Sequence, residues 1–388
     1  MHILAINVGS SSIKCWFGES AAAGGVTEQK RVQTDIASVD DVSRALPRAL
    51  EPLWQLAGGP QNLDAVAHRI VHAGPKYRQT AWLTPEVRAA IAANAEFAPS
   101  HNRLELAAIA AMDALLPDPS RQAAVFDTAF HATLPPEAYT YPGPYEWTEL
   151  GIRRYGFHGI NHAHVSRRAA EMIQRPLAEL RLITCHLGNG CSLAAIRGGQ
   201  SIDTTMGFTP ADGLMMGSRC GSLDPGIPVF LLRHAGYTAD QLDEVFNRES
   251  GLKGISGVSG DMREVLAAMA AGNLRAKLAF DIYAHRLFRE TGAMLAVLGG
   301  LDALVFTGGV GEHCAPLRER LCMQLGFLGL RLDAYKNGQA RADVEISSVE
   351  SSVRVLVIGA DEELEMAREC ARLAPGLTGT RGASSASK

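Results

Sequence analysis

Residues 3–17 read Ile3-Leu4-Ala5-Ile6-Asn7-Val8-Gly9-Ser10-Ser11-Ser12-Ile13-Lys14-Cys15-Trp16-Phe17. An apolar, β-prone run enters a turn of small residues and leaves as a second β-prone run, which predicts a hairpin. Its tip offers hydroxyls, an amide and backbone N–H groups, which suit phosphate oxygens and a hydrated divalent cation. An ordinary polar turn has the same composition, so the tip acquires meaning only from the rest of the chain.

The same pattern returns in the second half. Residues 182–196, LITCHLGNGCSLAAI, again run from an apolar strand through a tight Gly/Asn turn into an apolar strand. Laid over one another, Gly9 falls on Gly188, Ser10 on Asn189 and Ser12 on Cys191. A duplicated domain with one hairpin per copy accounts for this, and chance similarity of two hairpins is the alternative.

Composition narrows the class. A chain of 388 residues with 47% hydrophobic content can fill two or three domain cores. A net charge of -4 gives no support for a nucleic-acid or anionic-membrane partner. No apolar run approaches the roughly 18 residues of a bilayer span, and the start of the chain enters a strand without a secretory pattern. The seven cysteines are scattered without a C-x-x-C, which points to reduced thiols in a cytoplasmic protein.

Between the hairpins, apolar spacing over residues 40–56 predicts a helix, shortened or broken by Pro47 and Pro52. Residues 64–74 predict a strand that carries Arg69 to its C-terminal end, where α/β sheets meet ligands. Helices are expected at 84–95 and 103–115, separated by residues 98–102, and a buried strand at 123–126 delivers Asp127. The Pro/Tyr/Gly-rich residues 134–154 are the candidate interdomain crossing, with a helix from about His162. Residues 203–221 are dense in Gly and Met, too irregular for one element and long enough to be functional. Further helices are expected at 225–234, 239–248, 261–271 and 273–297. A strand at 304–307 empties into a Gly-rich turn, and a last strand at 353–358 leads to Asp361-Glu362-Glu363 at the start of the final helix. The tail from Pro375 is expected to be disordered.

Taken in order, NVGSSSIK, HRIVHAG, FDTAFH, YGFHG, HLGNG, DTTMGFTPADGLMMGSR, FTGGVGE and ADEE resemble the acetate kinase family along nearly the whole chain. The resemblance implies an α/β, duplicated two-domain acetate and sugar kinase/Hsp70/actin (ribonuclease H-like) fold with an interdomain active-site cleft. The expected division is residues 1–130 plus about 362–374 as the metal and phosphoryl domain, and 131–361 as the nucleotide domain. It also implies reversible ATP-dependent phosphorylation of acetate with Mg2+ or Mn2+, and a homodimer. No Walker G-x-x-x-x-G-K-[ST] occurs, so paired hairpins are the expected phosphate binders.

Phosphoryl transfer needs charge neutralisation and in-line placement more than covalent help. A carboxylate acceptor, with a pKa of roughly 4 to 5, is already a nucleophile at neutral pH. Arg69 and Arg219 can grip a carboxylate or a transferring phosphoryl group through paired hydrogen bonds. By resemblance, His158 stabilises the transferring group with His101 assisting, Asp127 orients Arg69 or metal waters, and Asn7 and Glu362 fix the metal. Also by resemblance, Lys14, Ser10, Ser12, His186, Gly188, Asn189 and Gly190 serve the nucleotide phosphates. Asp261, Met262, Arg263, Gly309, Val310, Gly311 and Glu312 then serve the nucleoside.

Val71, Ser100, Phe157 and Pro210 are expected to line the acyl slot. Ser100 stands where the family usually has an apolar residue, which opens propionate or butyrate as alternative acceptors. Arg103, Ser222, His313 and Ala360 also depart from the family pattern, and His313 opens pyrophosphate as an alternative donor. The remote alternative is a non-metabolic ATPase module of the actin/Hsp70 kind, which shares the fold without small-molecule turnover.

Overall fold

The computed structural model describes residues 1–9, 11–21, 25–94 and 99–373, with the side chains of residues 99–101 excepted. The chain divides into two compact units, Met1–Phe130 with Asp361–Lys388, and His131–Ala360. The first contains β1 (His2–Val8), β2 (Ser12–Ser20), β3 (Val26–Asp35), α1 (Val39–Ala57), β4 (Ala65–Ile70), β5 (Ala81–Trp82), α2 (Pro85–Ala93), α3 (Pro99–Leu115) and β6 (Gln122–Phe126).

The second contains α4 (Pro136–Tyr139), α5 (Glu146–Glu149), α6 (Gly159–Ile173), β7 (Arg181–Leu187), β8 (Cys191–Arg197) and β9 (Gln200–Thr204). It continues with α7 (Gly226–His234), α8 (Ala239–Glu244), α9 (Gly251–Ser256), α10 (Met262–Ala270), α11 (Leu274–Leu298) and β10 (Ala303–Thr307). It closes with α12 (Gly308–His313), α13 (Ala315–Gln324), α14 (Ala334–Gln339), β11 (Val344–Glu345) and β12 (Arg354–Val357), before α15 (Glu362–Leu373) returns to the first unit.

The two sheets repeat one connectivity. Strand order is β3-β2-β1-β4-β6-β5 in the first and, read in the same sense, β9-β8-β7-β10-β12-β11 in the second. In each, an antiparallel three-strand meander leads into two parallel strands, and a short antiparallel strand lies at the edge. Chance similarity of two hairpins does not produce a whole shared sheet order. The hairpins themselves differ by one residue: Val8 pairs with Ile13, whereas Leu187 pairs with Cys191. The turn-closing bonds run from Gly9 N to Ser12 O and from Gly188 N to Gly190 O, each 2.9 Å. Ser12 therefore corresponds to Gly190, not to Cys191.

Period-two alternation on β1 decides what the first hairpin can do. Leu4, Ile6 and Val8 enter a core with Val42, Leu46, Leu50 and Leu53 of α1 and Leu104, Ala108 and Met112 of α3. Asn7 points to the opposite face and meets α15. A slip of one residue would bury Asn7 in the aliphatic core and remove it from those carboxylates.

Several expectations needed correction. α1 is continuous despite Pro47 and Pro52. Its buried stripe of Val42, Leu46, Leu50, Leu53 and Ala57 holds both sides of each proline on the sheet, and Ser38 and a left-handed Gly58 cap its ends. Of the break expected at residues 98–102, residue 98 lies outside the described residues and 99–102 form the start of α3, with Pro99 in the position where its missing N–H costs nothing. Residues 134–154 do not cross between units; they fold within the second, partly as α4 and α5. The expected helix at 239–248 ends at Glu244 and continues as a π turn, Val245–Glu249, and α9, α13, α14 and β11 were not anticipated. The tail from Pro375 lies outside the described residues.

Candidate active site

In the first unit, strand ends and one helix start bring charged groups together. Asn7 Nδ2 donates to Glu362 Oε2 at 2.9 Å and to Glu363 Oε1 at 2.8 Å. Arg69, at the end of β4, donates from Nη2 to Asp127 Oδ2 at 2.9 Å, and its Nε lies 3.8 Å from Glu362. That Nε is buried without a hydrogen-bond partner. Burial works against the Arg69 charge, but Asp127, Glu362 and Glu105 outweigh it and raise its pKa. Burial, with Glu362 adjacent, raises the Glu363 carboxyl. Lys14 is exposed on β2, opposite Asn7 in the ladder.

Glu105 of α3 carries no signal of its own in the sequence. It is 1% exposed, and both its oxygens accept from Val71 N–H at 3.2 Å. Burial pushes its carboxyl up to about 8 against the opposing pull of Arg69. It fixes the chain just beyond β4, between Arg69 and the buried Val71. Ser10 lies outside the described residues, as do the side chains of Ser100 and His101, whose backbone forms the first turn of α3.

In the second unit the hairpin tip is the junction. His158 precedes α6 with φ 58°, a left-handed conformation that non-glycine residues rarely hold. Its Nδ1 is 2.9 Å from Ser192 Oγ, and its ring stacks on His186 at 4.0 Å. A Cβ on Gly190 would lie 3.3 Å from both His158 Nε2 and Arg219 Nη1, so an imidazole and a guanidinium flank one glycine. Arg219 Nη1 donates to Pro210 O at 3.0 Å, and burial draws its guanidinium below its ordinary value. No carboxylate among the described residues pairs with it. A half-buried guanidinium of this kind is set to receive an anion.

The loop bearing Arg219 is tied at both ends. Arg154 Nη1 donates to the carbonyls of Thr204, Thr205 and Met206 at 3.0, 2.8 and 3.0 Å. Ser222 donates to Asp212 Oδ1 at 2.6 Å and accepts from Gly213 N at 3.0 Å. Gly213 at φ 92° sits 2.6 Å, by its would-be Cβ, from Thr205 O, which excludes a side chain there. Phe157 is buried, and its carbonyl meets His131 Nε2 at 3.1 Å.

On its other side the hairpin opens to a cavity of about 430 Å³, a size that suits a small ligand. Gly188, Asn189, Gly260, Asp261, Met262, Arg263, Leu266, Gly309, Val310, His313 and Cys314 line it. Leu266 and Cys314 were missed because a helix face and a spacer residue carry no motif, whereas Gly260 falls in the segment 257–263 that the resemblance assigns to the adenosine side. His186 does not line it; its Nδ1 meets Asn161 Nδ2 at 2.7 Å. Gly311 and Glu312 lie behind the wall: Glu312 accepts from Gly308 N at 3.0 Å and Ala360 N at 3.1 Å, pinning α12 to the strand-β12 exit. Asp261 also caps α10 by accepting from Arg263 N at 2.8 Å.

The model of the acetokinase family matches residues 2–368. The chain belongs to the acetokinase family. Among its relatives, an acetate kinase of Gloeobacter violaceus is 56% identical over 331 residues, 85% of this chain and 82% of the relative. The crystal structure of an acetokinase-like neighbour, Porphyromonas gingivalis acetate kinase, has a TM-score of 0.85 and 38% identity, covering 96% of this chain and 99% of that one. A propionate kinase from Francisella tularensis is similar at TM-score 0.83 and 35% identity, over 95% and 98% of the two chains. The resemblance read from the motifs and the fold class expected from it both hold.

Proposed function

We propose that this chain is an acetate kinase, transferring the γ-phosphoryl group of ATP to acetate and back by direct in-line displacement. The observation that carries the reading is the hairpin at Gly188–Gly190. One side of it lines a nucleotide-sized cavity, and the other touches Arg219 and His158. A nucleoside in that cavity directs its phosphates over the turn toward two donors that favour a developing negative charge.

The acceptor carboxylate needs no general base. Arg69 and Arg219 each supply a guanidinium for the anionic partners, and His158 donates to the equatorial oxygens. Asp127, paired with Arg69, holds that guanidinium in place. His101 assists, and Val71, Ser100, Phe157 and Pro210 form the acyl slot. The cation that neutralises the phosphates would be held by the partly exposed Glu362 carboxylate, with the Asn7 side-chain oxygen as the second hard donor, and Mg2+ typically retains several waters with only one or two carboxylates. When bound it supplies charge neutralisation. Ser100 and the similarity to a propionate kinase favour one second reading, a broader short-chain acyl kinase.

We place the protein in the cytoplasm, consistent with seven free thiols. We also propose a homodimer formed through the second unit. Helix α7 has no buried residue and exposes Ile227, Val229, Phe230 and Leu232, a face that a second copy would cover. Size measurement of Phe230→Asp should give a monomer.

A hydroxamate assay for acyl phosphate, with acetate, propionate and butyrate each against ATP and pyrophosphate, tests the reading. Acetate with ATP is expected to lead; no acyl phosphate from any pair would refute a carboxylate kinase, and pyrophosphate dependence would refute the nucleotide assignment.

A further inference from the structure

Behind His158 runs a chain of buried hydroxyls and imidazoles that the reaction scheme above does not use. His158 Nδ1 is 2.9 Å from Ser192 Oγ. The same hydroxyl is 2.8 Å from His162 Nε2, and His162 Nδ1 is 2.7 Å from Thr184 Oγ1. Ser192, His162 and Thr184 are all fully buried. β7, β8 and α6 each contribute one member, so the chain depends on tertiary packing.

We propose that Ser192 is the positioning residue for His158: its hydroxyl, bridging two imidazoles, occupies Nδ1 and thereby presents Nε2–H toward the Gly190–Arg219 side. This rests on the phosphotransferase reading for the identity of the group that Nε2–H meets; the tautomer needs only an anion beside Arg219. Ser192 Oγ has one proton and sits between two ring nitrogens, so it donates to one and accepts from the other. His162 is neutral, because full burial, with His131 and His186 alongside, holds its imidazole far below the usual range. It therefore carries one proton.

Two proton arrangements satisfy the chain, with opposite results at His158. In one, Thr184 donates to His162 Nδ1, His162 Nε2–H to Ser192, and Ser192 to His158 Nδ1, leaving a proton on His158 Nε2. In the reverse, a neutral His158 would expose an Nε2 lone pair next to Gly190 and Arg219, where an anion is to be bound. Lone pair against anion is repulsive, so anion binding selects the first arrangement. Should His158 take up a second proton, Ser192 turns to accept from its Nδ1–H and donate to His162 Nε2, His162 takes the tautomer with its proton on Nδ1 and donates it to Thr184 Oγ1, and His158 Nε2–H is still presented. Stacking on His186 and the left-handed backbone restrict the ring; Ser192 at Nδ1 and an anion beside Nε2 together set which nitrogen bears the proton.

The test is 15N-labelled histidine in the full chain with inorganic phosphate present, read by two-bond 15N–1H correlation at a pH where His158 is neutral. The wild type should show His158 as the Nε2–H tautomer, and Ser192→Ala should convert it to a mixture. Turnover of Ser192→Ala should fall about tenfold or more with KM for ATP and acetate within about twofold, and Ser192→Thr should restore most of it. A neutral wild-type His158 protonated at Nδ1, or a Ser192→Ala enzyme with wild-type turnover, overturns the proposal. The wild-type tautomer is decisive even if Ser192→Ala does not fold. Absence of acyl phosphate from the wild type would instead strike the functional reading and leave the tautomer result standing.

Discussion

The carboxyl of Glu105 gives the sharpest quantitative prediction. It is 1% exposed, accepts only from Val71 N–H among its hydrogen bonds described above, and has Arg69 and Asp127 as its charged neighbours. Burial keeps its proton on until about pH 8 instead of the ordinary 4.5. An acid whose folded pKa is raised contributes no penalty below its unfolded pKa. Stability then falls as pH rises through the interval, and levels off above the folded value. At about 1.36 kcal/mol per pH unit, the full interval corresponds to ~5 kcal/mol. Glu105→Gln keeps a neutral acceptor for Val71 N–H and has no proton to lose. Urea unfolding of both chains at half-unit steps from pH 5 to 9 isolates this one group, because all other titrations cancel in the difference. The variant should gain on the wild type by about 1.4 kcal/mol per pH unit between about pH 5 and 8, then hold constant. A difference that stays flat across this window would show Glu105 ionised beside Arg69 at neutral pH and sink the argument.

Arg219→Ala should lower turnover by about 10²–10³ while nucleotide affinity, measured by calorimetry, persists, because the guanidinium meets charge that develops in transfer; unchanged turnover removes it from the site. Gly190→Ala places a methyl 3.3 Å from Arg219 Nη1 and His158 Nε2, so turnover should drop about 10- to 100-fold with little loss of melting temperature. A wild-type rate would mean that neither donor works at that turn. Pro52 sits on the exposed side of α1. Pro52→Ala should raise the urea-unfolding free energy by about 1–3 kcal/mol by restoring a helix hydrogen bond, and a neutral result would mean that the packed stripe already absorbs the proline.

The motifs made much of the second-unit site legible. Glycines at a hairpin tip, a glycine-rich helix start and an Arg in a Gly/Met loop are local requirements, and local requirements leave local signatures. The cavity wall includes Gly188, Asn189, Asp261, Met262, Arg263, Gly309 and Val310, all named from sequence. What escaped was of two kinds. Leu266 and Cys314 are ordinary apolar positions until the fold turns them to the cavity. Glu105, Ser192, His162 and Thr184 act through partners far away in the chain, and pairwise polar contacts across elements have no period or spacing to betray them.

The two prolines of α1 show the complementary limit. Helix propensity predicts a break at each, and burial of one aliphatic stripe overrides it, since the packed core outweighs a missing hydrogen bond. The one-residue difference between the hairpins is another case: the sequences overlay from their first glycines, but only the strand register shows that Ser12 answers to Gly190.

By itself, then, the amino-acid sequence determined the α/β class, the duplication of a hairpin-led half and the family, because alternation, glycine turns and ordered motifs are properties of neighbouring residues. Tertiary structure decided that one small turn joins a cavity to two donors, that Arg219 is half-buried with no carboxylate partner among the described residues, and that a buried acid and a serine-bridged histidine pair stand behind the reactive groups. Those are consequences of which strands and helices meet. Burial then sets their charge states, and burial exists only once the chain has folded.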